Sequence, residues 1–189
     1  MYKKELELAI EASIEAGKEI LEVYHSDNFS IEEKADKSPL TLADKNAHNK
    51  IMEYLSQLDI PVLSEEGREI DYSERKKWDL LWIVDPLDGT KEFIKRNGEF
   101  TVNIALIKNN TPIMGVIYVP VKNTLYFGLQ NLGAYKIENC NENNYNLDNL
   151  ISHAQKLPID NGSDKYVVVG SRTHMTTETE DYFAELKEK

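Results

Sequence analysis

The stretch Trp82-Ile83-Val84-Asp85-Pro86-Leu87-Asp88-Gly89-Thr90-Lys91-Glu92-Phe93 decides the reading of this chain. The unbroken apolar run from Leu80 to Val84 has the character of a strand buried on both faces. It delivers Asp85, and Asp88 follows three positions later. Pro86 fixes φ and removes a backbone donor, which stiffens the turn. Gly89 allows the backbone to turn sharply and approach a ligand closely. A short helix starting near Gly89 would point its free N–H groups where the carboxylates point. Such a place offers hard oxygens to Mg²⁺ and amides to phosphate oxygens. The plainer alternative is an Asp-Gly turn with Asp85 as a cap. The buried strand ahead of Asp-Pro-x-Asp-Gly-Thr favours the first reading.

Outward from this stretch the chain divides by period. Upstream, Leu6, Ala9, Ile10, Ile14, Gly17, Ile20, Leu21 and Tyr24 recur at helical spacing, which predicts a helix over 4–24. The polar stretch His25 to Lys37 breaks the pattern. A second helix is predicted after Ser38-Pro39, with Ala43, Ala47, Ile51, Tyr54, Leu55 and Leu58 as its apolar stripe. Thr41 is its expected N-cap, with Asp44 in the capping-box position. A short strand follows at Ile60 to Leu63. Downstream, strands are predicted over 100–107, 113–119, 124–129 and 133–137, separated by turns such as Asn109-Asn110. Cys140 to Asn146 reads as a solvated loop, Val167-Val168-Val169 as a strand start, and a last helix runs from about Thr176. These elements make a layered α+β chain with a mostly antiparallel sheet and two N-terminal helices. Two regions are expected, 1–150 and 151–189.

Composition narrows the function classes. With 22 basic and 33 acidic residues the chain carries a formal charge of −11. That argues against a nucleic-acid polymer or an anionic membrane as main partner. It leaves a small anionic substrate open, because metal ions can reverse the local sign. The single cysteine, Cys140, allows no internal disulfide and suggests a reducing compartment. No apolar run has the length of a membrane span, and the N-terminal MYKKELELAIEA lacks the apolar stretch of a signal peptide. The expected location is the cytoplasm, with peripheral attachment at the cytoplasmic membrane face left open. His25, His48 and His153 show no metal-ligand spacing and read as surface residues.

Two further acids are candidates. Glu65, in Leu63-Ser64-Glu65-Glu66-Gly67, stands at the end of an earlier strand and could share a metal with Asp85; otherwise it is a solvated loop acid. Asp44 is explained by its capping role alone, yet a capped helix start could also aim it at Thr90.

Asp85 to Thr90 with Phe93, preceded by Ser64-Glu65-Glu66, resembles the Mg²⁺-dependent, lithium-sensitive inositol monophosphatase superfamily. Lys34 to Asp44 and the run Lys91 to Asn103 are most similar to its bacterial 3'(2'),5'-bisphosphate nucleotidases. The resemblance extends from the first helix to Ser171-Arg172-Thr173-His174. It implies the layered sandwich of that superfamily. It also implies two or more Mg²⁺ ions: Glu65, Asp85 and the Leu87 carbonyl on one, Asp85 and Asp88 on another. By the same resemblance Gly89 and Thr90 hold phosphate through backbone amides, and the Thr90 hydroxyl, paired with Asp44, orients the attacking water. Arg172 would meet a second phosphate; as an exposed arginine at a strand end it has an equally plain reading. The implied reaction removes the 3'-phosphate of 3'-phosphoadenosine 5'-phosphate. Inositol monophosphate is the alternative substrate. One departure stands out: the superfamily's later Trp-Asp-x-x-Ala-Gly motif, which carries another metal aspartate, does not occur in these residues. The second lobe is therefore expected to be incomplete, and an impaired remnant that only binds metal or phosphate is a further alternative.

Overall fold

The computed structural model describes residues 2–26, 32–33, 39–140, 145–159, 162, 167–171 and 175–187. In chain order the elements are α1 (Lys3–His25), β1 (Glu32–Glu33), β2 (Pro39–Leu40), α2 (Leu42–Leu55), β3 (Val62–Ser64), α3 (Tyr72–Arg75), β4 (Leu80–Asp88), α4 (Thr90–Ile94), β5 (Thr101–Lys108), β6 (Thr111–Val119), a 3₁₀ turn (Pro120–Lys122), β7 (Thr124–Leu129), β8 (Gly133–Glu138), α5 (Leu147–His153), β9 (Gln155–Leu157) and α6 (Thr177–Lys187). They form two compact units, Met1–Pro158 and Ile159–Lys189.

The first unit is built on a seven-stranded sheet in the order β3-β4-β5-β6-β7-β8-β9. Only β3 and β4 are parallel; every later neighbour is antiparallel, as the short connections require. Asn109 and Asn110 both adopt positive φ, 48° and 60°, the conformation of a tight hairpin turn between β5 and β6. α1 and α2 bury their predicted stripes, Leu6, Ala9, Ile10, Ile14 and Ile20 on one and Ala43, Ala47, Ile51 and Leu55 on the other. At Gly17 the backbone of α1 lies so close to β6 that a Cβ would stand 2.4 Å from Tyr118 Cε1.

Several expectations change. β4 does not stop at Val84 but runs through Pro86 to Asp88. It pairs Asp85 with Asn103 and then Asp88 with Thr101, so β4 advances three residues while β5 advances two. That extra residue is a β-bulge, and a bulge is where a strand tolerates a proline, because the missing N–H falls at a broken ladder rung. Nor is the strand covered on both faces: Trp82 and Val84 are buried, but Ile83 is 42% exposed. Cys140 is buried rather than solvated, its N–H bonded to the Asn123 carbonyl at 3.3 Å. The boundary expected at residue 150 falls at Pro158, because α5 packs on α1 and β8, and β9 extends the sheet. α3, α5 and β9 carried too short a pattern to be read.

In the second unit, Val167-Val168-Val169 forms no strand; Val167 and Val169 are 76% and 88% exposed, and no pairing partner is present among the described residues. The helix expected from Thr176 is α6. A Cβ on Gly170 would lie 2.8 Å from the Phe183 ring, so the chain before α6 packs directly on that side chain.

Candidate active site

The bulge in β4 sets the geometry of the site. Along a regular strand, residues three apart point to opposite faces. The inserted residue reverses the phase: Pro86 and Leu87 are buried in succession, and Asp88 emerges on the outward side together with Asp85. Glu65 joins them from the neighbouring strand. It follows the end of β3, which runs parallel beside β4 with Ser64 opposite Val84, and its N–H donates to the Val84 carbonyl at 3.0 Å. Carboxylates from two chain segments thus meet around Asp85.

Their electrostatics record the crowding. Burial, the charges of Glu65 and Asp88, and a hydrogen bond shared with Glu65 push the Asp85 carboxyl from its ordinary value up to about 7. Asp85 Oδ1 is buried and has no hydrogen-bond partner among the described residues. Asp88 is held by the Asn103 amide, which donates to its Oδ2 at 3.0 Å. A site that burdens one carboxylate with two like charges and leaves a buried oxygen unpartnered lacks positive charge. A divalent cation among these oxygens would supply it, and the all-oxygen donor set suits Mg²⁺. Among the described residues no group of three or more His, Cys, Asp or Glu side chains stands preassembled for a metal.

The turn beyond Asp88 is equally constrained. Gly89 adopts φ +101°, and a Cβ there would lie 2.9 Å from the Glu99 carbonyl oxygen and 3.3 Å from Phe100. α4 begins at the next residue, as the sequence suggested. Phe93 anchors it in an aromatic cluster with Tyr24 and Phe100, ring centroids 5.1–5.4 Å apart. Asp44 serves both roles expected of it. Its Oδ2 accepts from the Thr41 N–H at 2.8 Å and from the Thr41 hydroxyl, while its Oδ1 accepts from the Thr90 hydroxyl at 3.1 Å. The Leu87 carbonyl lies 3.3 Å from the same hydroxyl.

Asp44, Leu87 and Thr90 are thus joined by hydrogen bonds, Glu65, Asp85 and Asp88 by charge, and Gly89 links the two groups. Arg172 lies outside the described residues, as does the 34–38 part of the motif before Asp44. Two residues were missed. Asn103, opposite Asp85 on β5, holds Asp88, and its Oδ1 accepts from the Thr101 hydroxyl at 3.1 Å. Its signal was its place in the run Lys91 to Asn103. His48 is half-buried rather than a surface residue, and burial holds its imidazole below the usual value. Nothing in its spacing announced this.

All 189 residues match the Inositol monophosphatase family, and the chain belongs to that family. It is 45% identical over 176 residues to the 3'(2'),5'-bisphosphate nucleotidase CysQ of Shigella flexneri, covering 92% of this chain and 65% of that protein. The CysQ of Salmonella typhimurium is 40% identical over 186 residues, with 97% of this chain and 70% of the relative covered. Among solved structures, CysQ from Bacteroides thetaiotaomicron, described as a bacterial member of the inositol monophosphatase family, superposes with a TM-score of 0.88 at 48% identity, over 99% of this chain and 69% of that one. The chain thus spans about two thirds of the length of these relatives, and 65% of the first.

Proposed function

We propose that the chain is a Mg²⁺-dependent phosphomonoesterase that removes the 3'-phosphate of 3'-phosphoadenosine 5'-phosphate, giving AMP and phosphate. The observation that carries this reading is Asp85: a buried carboxylate oxygen without a partner, beside Glu65 and Asp88. Glu65, Asp85 and the Leu87 carbonyl would hold one ion, and Asp85 with Asp88 a second. Bound Mg²⁺ supplies charge neutralisation at the phosphoryl oxygens and makes water more acidic.

The chain's own groups do the positioning. Asp44 draws the proton of the Thr90 hydroxyl toward itself, which leaves the hydroxyl lone pairs to accept from the attacking water. The backbone amides at Gly89 and Thr90 hold the phosphate, in a turn that only glycine can make. No covalent protein intermediate is needed; positioning and electrostatics carry the acceleration. The bisphosphate substrate is favoured by the nucleotidase names of the relatives at 40–45% identity. The lone, buried Cys140 supports a reducing cytoplasm as the location. No helix among the described residues is long and apolar enough to cross a membrane.

The test is phosphate release from 3'-phosphoadenosine 5'-phosphate and from inositol monophosphate, side by side, with and without Mg²⁺. The adenine bisphosphate should be preferred, release should require Mg²⁺ and be inhibited by lithium, and Asp88→Asn should abolish it. Release that ignores Mg²⁺ would refute the mechanism, and preference for the inositol ester would refute the substrate. A second reading is a chain that binds metal or phosphate without turnover. Mn²⁺ binding without phosphate release would select it.

A further inference from the structure

We propose that His48 is a positioning residue: by hydrogen-bonding the Ser64 hydroxyl it fixes the turn that carries Glu65. What Glu65 holds rests on the reading above; how it is held rests on the following geometry. His48 lies four residues after Asp44 in α2, one turn along the same helix face. Asp44 reaches Thr90 at 3.1 Å, and His48 Nδ1 stands 2.9 Å from Ser64 Oγ. One helix face therefore touches both halves of the site, the turn after β4 and the turn after β3.

Ser64 is the last residue of β3 and only 9% exposed. Its carbonyl accepts from the Gly67 N–H at 3.0 Å, closing a tight turn over Glu65 and Glu66. That turn has little slack, since a Cβ on Gly67 would come within 3.1 Å of the same carbonyl. The Glu65 N–H is tied to Val84, the residue before Asp85. The Ser64 side chain is a further anchor, and His48 holds it. A hydroxyl so buried is costly to leave unpaired, so without the imidazole Ser64 must re-orient and carry Glu65 with it. Burial favours the neutral ring, which keeps one nitrogen as an acceptor and the other as a donor.

The experiment compares the parent chain with His48→Ala, His48→Asn and Ser64→Ala by two readouts: NMR hydrogen exchange at the Glu65 and Gly67 amides without metal, and binding of Mn²⁺ alone. In His48→Ala those amides should exchange about tenfold faster while amides in β5 and β6 keep their protection. Mn²⁺ affinity should fall by a similar factor. His48→Asn, whose amide can stand where Nδ1 stood, should restore both. Adding Ser64→Ala to His48→Ala should bring no further loss and should relieve part of the first, since it removes the hydroxyl that His48→Ala leaves unpaired. Unchanged exchange at Glu65 and Gly67, or additive effects of the two substitutions, overturns the proposal. If the parent binds no Mn²⁺, the metal reading fails while the exchange comparison still decides the role of His48. Should His48→Ala not fold, Ser64→Ala breaks the same bond with little change of volume and carries the test.

Discussion

Two residues concentrate the tension of the site. Asp85 holds its proton more tightly in the folded chain, with a carboxyl near 7, than in the unfolded chain, where a free aspartate lies near 3.8. Below about pH 4 both states are protonated and this group's contribution is full. Between about pH 4 and 7 the unfolded chain ionises first, so stability falls as pH rises, and above 7 the loss is complete. The full linkage would be roughly 4 kcal/mol; water reaching a part-exposed carboxyl cuts it to about 2. Asp85→Asn should therefore gain about 2 kcal/mol on the parent chain between pH 4 and 7 in chelator-containing buffer. Denaturant melts of both proteins at several pH values measure this, and a pH-independent difference would contradict it. Gly89 is constrained by shape. Its φ of +101° and the 2.9 Å gap to the Glu99 carbonyl leave no room for a methyl group. Gly89→Ala should cost about 2–3 kcal/mol from strain and clash together, read by the same melts, and should weaken phosphate binding.

At the level of elements, the bulge in β4 and the face of α2 assemble the site. The bulge turns residues of opposite parity to one side, and α2 presents Asp44 and His48 to two different turns. The seating of α1 on the sheet limits how far the helices can shift. Gly17→Ala would improve helix propensity by about 1 kcal/mol. Its new Cβ, however, would stand 2.4 Å from the Tyr118 ring and 3.3 Å from Pro120. Overpacking of this kind costs about 1–3 kcal/mol, so the net effect is a loss of about 1 kcal/mol, measured as a lower Tm. A Tyr118→Leu partner, which removes the ring atoms in question, should recover part of it.

At the level of the whole molecule, a net charge of −11 and an acidic cluster joined around one buried carboxylate predict that divalent cations stabilise the fold. A cation bound only by the folded chain adds about 2.7 kcal/mol at a hundred times its Kd. Mg²⁺ should raise the melting temperature, and Asp85→Asn should remove the rise; an equal rise in both proteins would assign the effect to general screening. The sequence alone determined the helices α1 and α2, the hairpin strands and the turn at Gly89. Each is written in local terms: apolar residues at a helical or alternating period, paired asparagines, a glycine after Asp88. It also identified Asp44 as a cap that could reach Thr90, because a capping residue's direction follows from its own helix. Only the tertiary structure decided that β4 bulges past Pro86, that Ile83 lies open on one face, and that Cys140 is buried. It alone brought His48 to Ser64 and Asn103 to Asp88. Those facts depend on which strand lies beside which and in what register, and pairing between distant segments leaves no periodic trace in either one.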